Sequence, residues 1–297
     1  MKNSGKVIIV VVTYNRKELL KECIENIEKQ YYKNYKILIV DNASTDGTKE
    51  MLEEYVKDEK IIYRNTGANL GGAGGFNYGI KEAYKIGCEY IWIMDDDCMV
   101  HKDTLTTLLN ADKQLKGDYG FLASKVLWKD GKVCRMNVQR KTMMKDVTDF
   151  SKKIQKICMS SFVSLFIKSE VVKEIGLPIK EFLIWTDDWE YTRRISRKYK
   201  CFLINDSIVT HKSKNNIGAN ISKESEDRLE RYKYLYRNDV YLYKREGIKG
   251  MIYIYIRIIY HIFKVLFSNN KGKMSKIKVI IKNTKDGFKF NPPIEYI

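Results

Sequence analysis

Tyr90-Ile91-Trp92-Ile93-Met94-Asp95-Asp96-Asp97 is the stretch on which the fold turns. Its apolar residues suit a buried strand, and they run without a break into three consecutive carboxylates. Like charges crowded in this way raise one another's pKa or cost stability unless a cation sits among them. The plain alternative is an acidic turn in which one Asp caps a helix starting near Lys102. In an extended segment, alternate side chains fall on one face, so Asp95 and Asp97 can grip a single ion. Mg²⁺ and Mn²⁺ suit hard oxygen ligands of this kind and bridge to substrate phosphates.

Working outward, residues 6–12 (KVIIVVV) and 35–40 (YKILIV) read as strands buried on both faces. The first leads into Thr13-Tyr14-Asn15-Arg16 and the second into Asp41-Asn42-Ala43-Ser44-Thr45-Asp46. Helical patterns follow over 17–30 and 49–56, and residues 61–64 form a short third strand. The chain then enters a glycine cluster from Gly67 through Asn77, and a helix follows it to Ile86. It lacks the position and spacing of a dinucleotide fingerprint and has no G-K-[ST] of a P-loop. Close backbone approach of a helix N-terminus to a ligand or to the sheet remains. Strand–helix alternation of this kind predicts an α/β, Rossmann-like, doubly wound and mostly parallel sheet. Ligands bind such sheets beyond the C-terminal strand ends, where 13–16, 41–46 and 95–97 all fall.

Past Asp97 the alternation weakens. Residues 120–128 and 157–167 read as strands, 135–153 as an exposed basic excursion, and 168–175 as a helix ended by Gly176 and Pro178. In Phe182-Leu183-Ile184-Trp185-Thr186-Asp187-Asp188-Trp189-Glu190 an apolar lead-in precedes acids at the start of a helix over 191–199. Those acids are helix caps on one reading. On the other they hold a general base beside rings able to stack on a sugar. Residues 201–205 and 208–210 are short strands, and His211 stands at the end of the second among polar neighbours, a suitable metal ligand.

The chain has 297 residues, 44% of them hydrophobic, enough for one large domain with an appendage or for two domains. Its formal charge is +17. From Gly247 onward ten Lys/Arg face two acids, so +8 lies in the last 51 residues. Nucleic acid or an anionic membrane surface would attract such a tail. Cys23, Cys88, Cys98, Cys134, Cys158 and Cys201 include no C-x-x-C pair and suggest buried thiols in a reducing cytosol. Residues 1–6 carry no signal-peptide pattern, so a cytoplasmic protein is expected.

With these residues in place, the sequence resembles the family-2 inverting glycosyltransferases of GT-A fold over about residues 5–245. The resemblance is carried by V-V-T-Y-N-R (11–16), D-N-A-S-T-D-G-T (41–48), the D-x-D of Asp95 and Asp97, and T-D-D-W-E (186–190), in that order. N-L-G-G-A-G-G-F (69–76), I-W-T-D-D-W-E-Y (184–191), V-T-H (209–211) and Y-L-Y-R-N (234–238) are similar to bacterial galactofuranosyltransferases and rhamnosyltransferases. Galactan-polymerising members place a Trp directly before the paired acids, whereas here Thr186 follows Trp185. A single transfer is therefore expected, not processive synthesis.

The resemblance implies a nucleotide-sugar site lined by Thr13, Asn15, Arg16, Asp41, Asn42, Asn69, Gly71, Gly72 and Asp96. It implies Mg²⁺ or Mn²⁺ held by Asp95, Asp97 and His211, and a base at Asp188, or otherwise Asp187. Trp185 and Trp189 become candidates for stacking under the acceptor. The implied donor is UDP-galactofuranose, with dTDP-rhamnose as the alternative, and the acceptor lipid-linked or a glycan in cell-surface polysaccharide synthesis. A basic nucleic-acid-binding protein would explain the charge but not the acidic strand ends.

The expected division is a catalytic domain over 1–212 and a helical, basic, membrane-associating extension over 213–297. Residues 248–267 are apolar and aromatic, interrupted by Arg257, His261 and Lys264 on one helical stripe. A spanning helix would bury that stripe in hydrocarbon, at roughly 2.5–3.5 kcal/mol for Arg alone. A helix lying in the headgroup plane would not, and the lysines after it would add about 1 kcal/mol each near anionic lipid. Peripheral contact with the inner face of the membrane is thus expected. Burial of the stripe in a homo-oligomer is the competing reading.

Overall fold

The computed structural model describes residues 6–56 and 60–297. It divides into two compact units, one of Met1–Lys180, Asp188–Ile217 and Ile294–Ile297, the other of Glu181–Asp187 and Gly218–Pro293. The boundary thus lies beside residue 217, and the segment before the acidic pair belongs with the C-terminal helices.

The first unit is built on a nine-stranded sheet. β1 (Val7–Thr13), β2 (Tyr35–Asp41), β3 (Ile61–Asn65) and β4 (Tyr90–Asp95) lie in the parallel order β3-β2-β1-β4, as the apolar runs predict. Every residue of β1 is buried, because α1 (Lys17–Glu28) covers one face and α3 (Gly71–Ile86) the other. α2 (Thr48–Val56) joins β2 to β3. The sheet continues through β5 (Cys98–Val100), β6 (Phe121–Trp128), β9 (Ile154–Ile157), β10 (Leu165–Lys168) and β11 (Cys201–His211). β7 (Arg140–Thr142) and β8 (Lys145–Asp146) pair apart from it. β10 is antiparallel to both β4 and β6, so this half of the sheet is mixed. α4 (Thr104–Gln114), α5 (Ser169–Ile175) and α6 (Asp187–Ser196) complete the helices of this region.

Three local expectations are corrected. α3 begins at Gly71, so most of the glycine cluster is helix and not loop. A Cβ on Gly75 would stand 2.6 Å from Val12 and one on Gly79 2.5 Å from Val10, so these glycines let α3 press on the sheet. The run 157–167 is not one strand: Ser160, Ser161 and Ser164 are buried between β9 and β10, and Ser164 turns at φ 62°. Its hydroxyl accepts from Trp92 Nε1 at 2.9 Å and bonds Ser124 at 2.6 Å, a local network that an apolar reading misses. Residues 201–211 form one strand with a register shift between Ile204 and Ile208, not two.

In the second unit α7 (Leu229–Lys244) packs on α8 (Gly247–Leu266) and α9 (Lys273–Lys289). Arg257 and His261 of the polar stripe of α8 turn inward, while Lys264 stays exposed. Arg257 pairs with buried Asp239 at 3.0 Å, and His261 Nδ1 meets the Tyr236 hydroxyl at 3.0 Å. The outward face carries Ile248, Ile252, Tyr255, Ile256, Ile259, Tyr260, Phe263 and Phe267, all exposed. Among the described residues, no helix is long and apolar enough to cross a membrane.

Candidate active site

β1 and β4 are neighbours, so their C-terminal ends deliver Thr13, Arg16 and the three aspartates to one place. Asp95 closes β4, and Asp96 and Asp97 make the turn into β5. Their side chains separate as the alternation predicts. Asp96 accepts from Thr13 Oγ1 at 2.8 Å and from Arg16 Nη1 at 3.1 Å. Asp95 and Asp97 instead meet His211 from the end of β11, with ligand atoms of all three within 4.8 Å of one another. Asp97 Oδ1 lies 3.0 Å from His211 Nε2, yet it is buried and accepts no hydrogen bond of good geometry. Its other oxygen accepts from Arg16 Nη1 at 2.8 Å.

Electrostatics follow from this crowding. Burial, reinforced by the charge of Asp97, pushes the Asp95 carboxyl up to about 7. Burial also raises Asp96, to about 6, against the pull of Arg16. Asp97 feels the same burial, but His211 and Arg16 outweigh it and hold the carboxyl below its usual range. His211 is desolvated too, and Asp97 more than compensates, so the imidazole pKa is raised. Two hard oxygens and an imidazole, with a buried oxygen lacking a good donor, fit Mg²⁺ or Mn²⁺.

The other predicted binding residues are placed as follows. Asn15, at φ 52°, accepts from Thr45 N at 2.7 Å through its side chain, while its own N–H donates to Ser44 Oγ at 2.9 Å. Asp41 is fully buried and accepts from Ser44 N at 2.9 Å and the Tyr63 hydroxyl at 2.7 Å. Asn42 Nδ2 donates to Gly71 O at 3.0 Å, and Asn69 Oδ1 accepts from Gly71 N at 2.9 Å, fixing the start of α3. A Cβ on Gly72 would meet nothing within 4 Å, so its surface is open.

Asp187 is buried and Asp188 partly exposed in the first turn of α6. Trp189, in the first unit, stacks under the Arg140 guanidinium at 3.8 Å. Trp185, in the second, packs edge-on to Tyr232 at 5.0 Å with Arg231 over it at 5.3 Å. Glu190 makes a buried two-point pair with Arg194, which also holds the carbonyls of Ile175 and Leu177.

Against this geometry, the sequence matches Glycosyl transferase family 2 over residues 8–175, more than half of the chain. The protein belongs to that family. This family-2 glycosyltransferase is 25% identical to galactofuranosyltransferase GlfT1 of Mycolicibacterium smegmatis, over 85% of this chain and 87% of that protein. It is 27% identical to the GalNAc(5)-diNAcBac-PP-undecaprenol beta-1,3-glucosyltransferase of Campylobacter jejuni, over 71% of this chain and 69% of that one. In fold it is similar to mannosyltransferase PcManGT of Pyrobaculum calidifontis, solved in complex with GDP-Man and Mn²⁺. That likeness has a TM-score of 0.56 at 17% identity and covers 97% of this chain and 76% of the other.

The glycosyltransferase also holds a site residue that sequence reasoning missed. Asn137 is buried in the stretch expected to be an exposed excursion. Its Oδ1 lies 2.8 Å from His211 Nδ1, and its Nδ2 donates to Ser161 Oγ at 2.9 Å. With Nδ2 committed to Ser161, Oδ1 calls for a proton on Nδ1 and leaves Nε2 for the cluster. From the adjacent Ser160 the bonds run on through Thr192 to the Asp188 carbonyl, 2.6 Å from the Thr192 hydroxyl. No sequence signal marks Asn137, one of several polar residues inside a basic stretch.

Proposed function

We propose that this glycosyltransferase moves one sugar from a nucleotide-sugar donor to a hydroxyl of a lipid-linked or glycan acceptor, by a single inverting displacement. The observation that carries the reading is the Asp95–Asp97–His211 cluster set beside Arg16 at the ends of β1 and β4. These three residues would hold Mg²⁺ or Mn²⁺, which supplies charge neutralisation for a diphosphate leaving group. Thr13, Asn15, Arg16, Asp41, Asn42, Asn69, Gly71, Gly72 and Asp96 line the donor side. Asp188 takes the proton from the acceptor hydroxyl as that oxygen attacks the anomeric carbon in line. It suits this role better than Asp187, which is buried. UDP-galactofuranose is the first donor to try, since GlfT1 is named a galactofuranosyltransferase and aligns along most of the chain.

The deciding experiment screens UDP-, dTDP- and GDP-sugars for turnover with Mn²⁺, Mg²⁺ or EDTA. Metal-dependent release of one nucleoside diphosphate is expected. Asp188→Asn should lower transfer by about 10²–10⁴-fold with donor binding kept. Near-native transfer by that variant would move the base elsewhere, and no turnover of any donor would remove the reading.

The reading includes a peripheral position on the inner face of a membrane, through α8. Its outward face is apolar and aromatic, while Lys249, Lys264, Lys271, Lys278, Lys282 and Lys285 are exposed on and after it. Anionic phospholipid complements both features. A second copy would bring like-charged lysines together. The intact protein should float with phosphatidylglycerol vesicles and not with phosphatidylcholine, and Ile256→Glu/Phe263→Glu should abolish flotation. Failure of the intact protein to bind, or a stable dimer disrupted by the same substitutions, would overturn lipid as the occupant.

A further inference from the structure

The segment leading into α6 follows a path that its residues resist. Leu183, Trp185 and Thr186 have φ of 62°, 67° and 67°, in the left-handed region. None is glycine or asparagine, and Thr186 is β-branched, the type least at ease there. Such a path persists only where surrounding groups over-determine it.

One turn of α7 supplies those groups. Asn238, fully buried, directs Nδ2 at three carbonyls of the segment: Phe182 at 3.0 Å, Ile184 at 3.2 Å and Trp185 at 2.9 Å. Arg237 Nη2 donates to the Glu181 carbonyl at 2.6 Å, and its Nε to Asn238 Oδ1 at 3.0 Å, which fixes the amide's orientation. Asp239 accepts from the Thr186 hydroxyl at 2.8 Å, and Arg257 of α8 holds its other oxygen at 3.0 Å. Thr186 immediately precedes Asp187 and Asp188. The segment is therefore clamped at its backbone and at the residue beside the acids.

We propose that Asn238 and Asp239 are positioning residues, which hold residues 182–186 in their left-handed path and so fix the chain that leads directly into Asp187 and Asp188. This deepens the proposed reaction and rests on it, since Asp188 is there the base. It also assigns work to the Arg237-Asn238 end of the Y-L-Y-R-N motif, which lines neither the metal cluster nor the donor residues.

The test pairs Thr186→Val, which replaces the hydroxyl by a methyl, with Thr186→Ser, which keeps the hydroxyl, and adds Asn238→Ala. Thr186→Val and Asn238→Ala should lower kcat by about 10²-fold, the scale of a misplaced catalytic group, while UDP–Mn²⁺ affinity stays near wild type. Thr186→Ser should recover most of kcat. Deuterium uptake should rise in 181–190 and not in β1 or β4. Leu183→Gly, which removes the backbone resistance at that position, should restore part of the kcat lost in Asn238→Ala. Wild-type kcat in Thr186→Val, or equal losses in Thr186→Val and Thr186→Ser, would overturn the proposal. If Asn238→Ala does not fold, the threonine pair decides alone. If wild type turns over no donor, the reaction falls, and unchanged exchange in 181–190 of Thr186→Val would bring the clamp down independently.

Discussion

His211 presents Nε2 to Asp97 at 3.0 Å while Nδ1 is held by Asn137 at 2.8 Å. The imidazole is thus aimed from behind by an amide that touches neither aspartate in the cluster. Asn137→Leu should weaken Mn²⁺ binding by about 10–100-fold, the usual effect of removing such a support, with the fold retained. Calorimetric titration of Mn²⁺ checks this. Unchanged affinity would mean the ring is held by β11 alone.

Arg16 stands as a cation among the aspartates, bonded to Asp96 and Asp97. Its side chain is half-exposed, so solvent screening reduces its worth. Arg16→Ala should lower metal-free stability by about 1–2 kcal/mol, because buried carboxylates lose a partner. Mn²⁺ should recover more of the melting temperature in this variant than in wild type. Thermal denaturation with and without metal reads the difference.

Glycines in α3 should divide into two classes. Gly75→Ala and Gly79→Ala push a methyl into Val12 and Val10 and should cost about 1–3 kcal/mol. Gly72→Ala meets nothing and should hold or raise stability. A donor approaching α3 closely would nonetheless bind the Gly72 variant more weakly. Chemical denaturation and nucleotide titration together separate packing from ligand approach.

His261 supplies a pH dependence away from the metal cluster. Burial first, then the charges of Arg257 and Lys264, lower its pKa to about 4, while Tyr236 bonds the ring. The unfolded chain therefore binds a proton that the folded one does not between about 6.5 and 4. This contribution is fully present above about pH 6.5 and is lost as pH falls toward 4, up to about 3 kcal/mol. His261→Gln should flatten the stability-against-pH curve in that window. An unchanged curve would show that the ring does not titrate between the two states.

Much of the site was legible in the chain because strands declare themselves through unbroken apolar runs. The residues ending those runs lie at one edge of a parallel sheet. Asp95 and Asp97 share a ligand cluster because extended side chains alternate, which is local geometry. Asp41 was harder to place from sequence. It ends β2 as predicted, yet its oxygens serve Ser44 and Tyr63, partners set by how the loop and β3 pack. The stripe Arg257–His261 was visible as a stripe, but its direction was not, since periodicity fixes which residues share a face and never what that face meets.

By itself the sequence determined the first four strands, the helices that alternate with them and the carboxylates at the strand ends, because these follow from hydrophobic periodicity and short-range backbone geometry. Only the tertiary structure decided that Asn137 backs His211, that α8 turns Arg257 and His261 inward and most of its rings outward, and that Asn238 and Asp239 grip residues 182–186. Each joins residues distant along the chain, where nearby sequence carries no trace of the contact and only packing of the whole unit selects the partner.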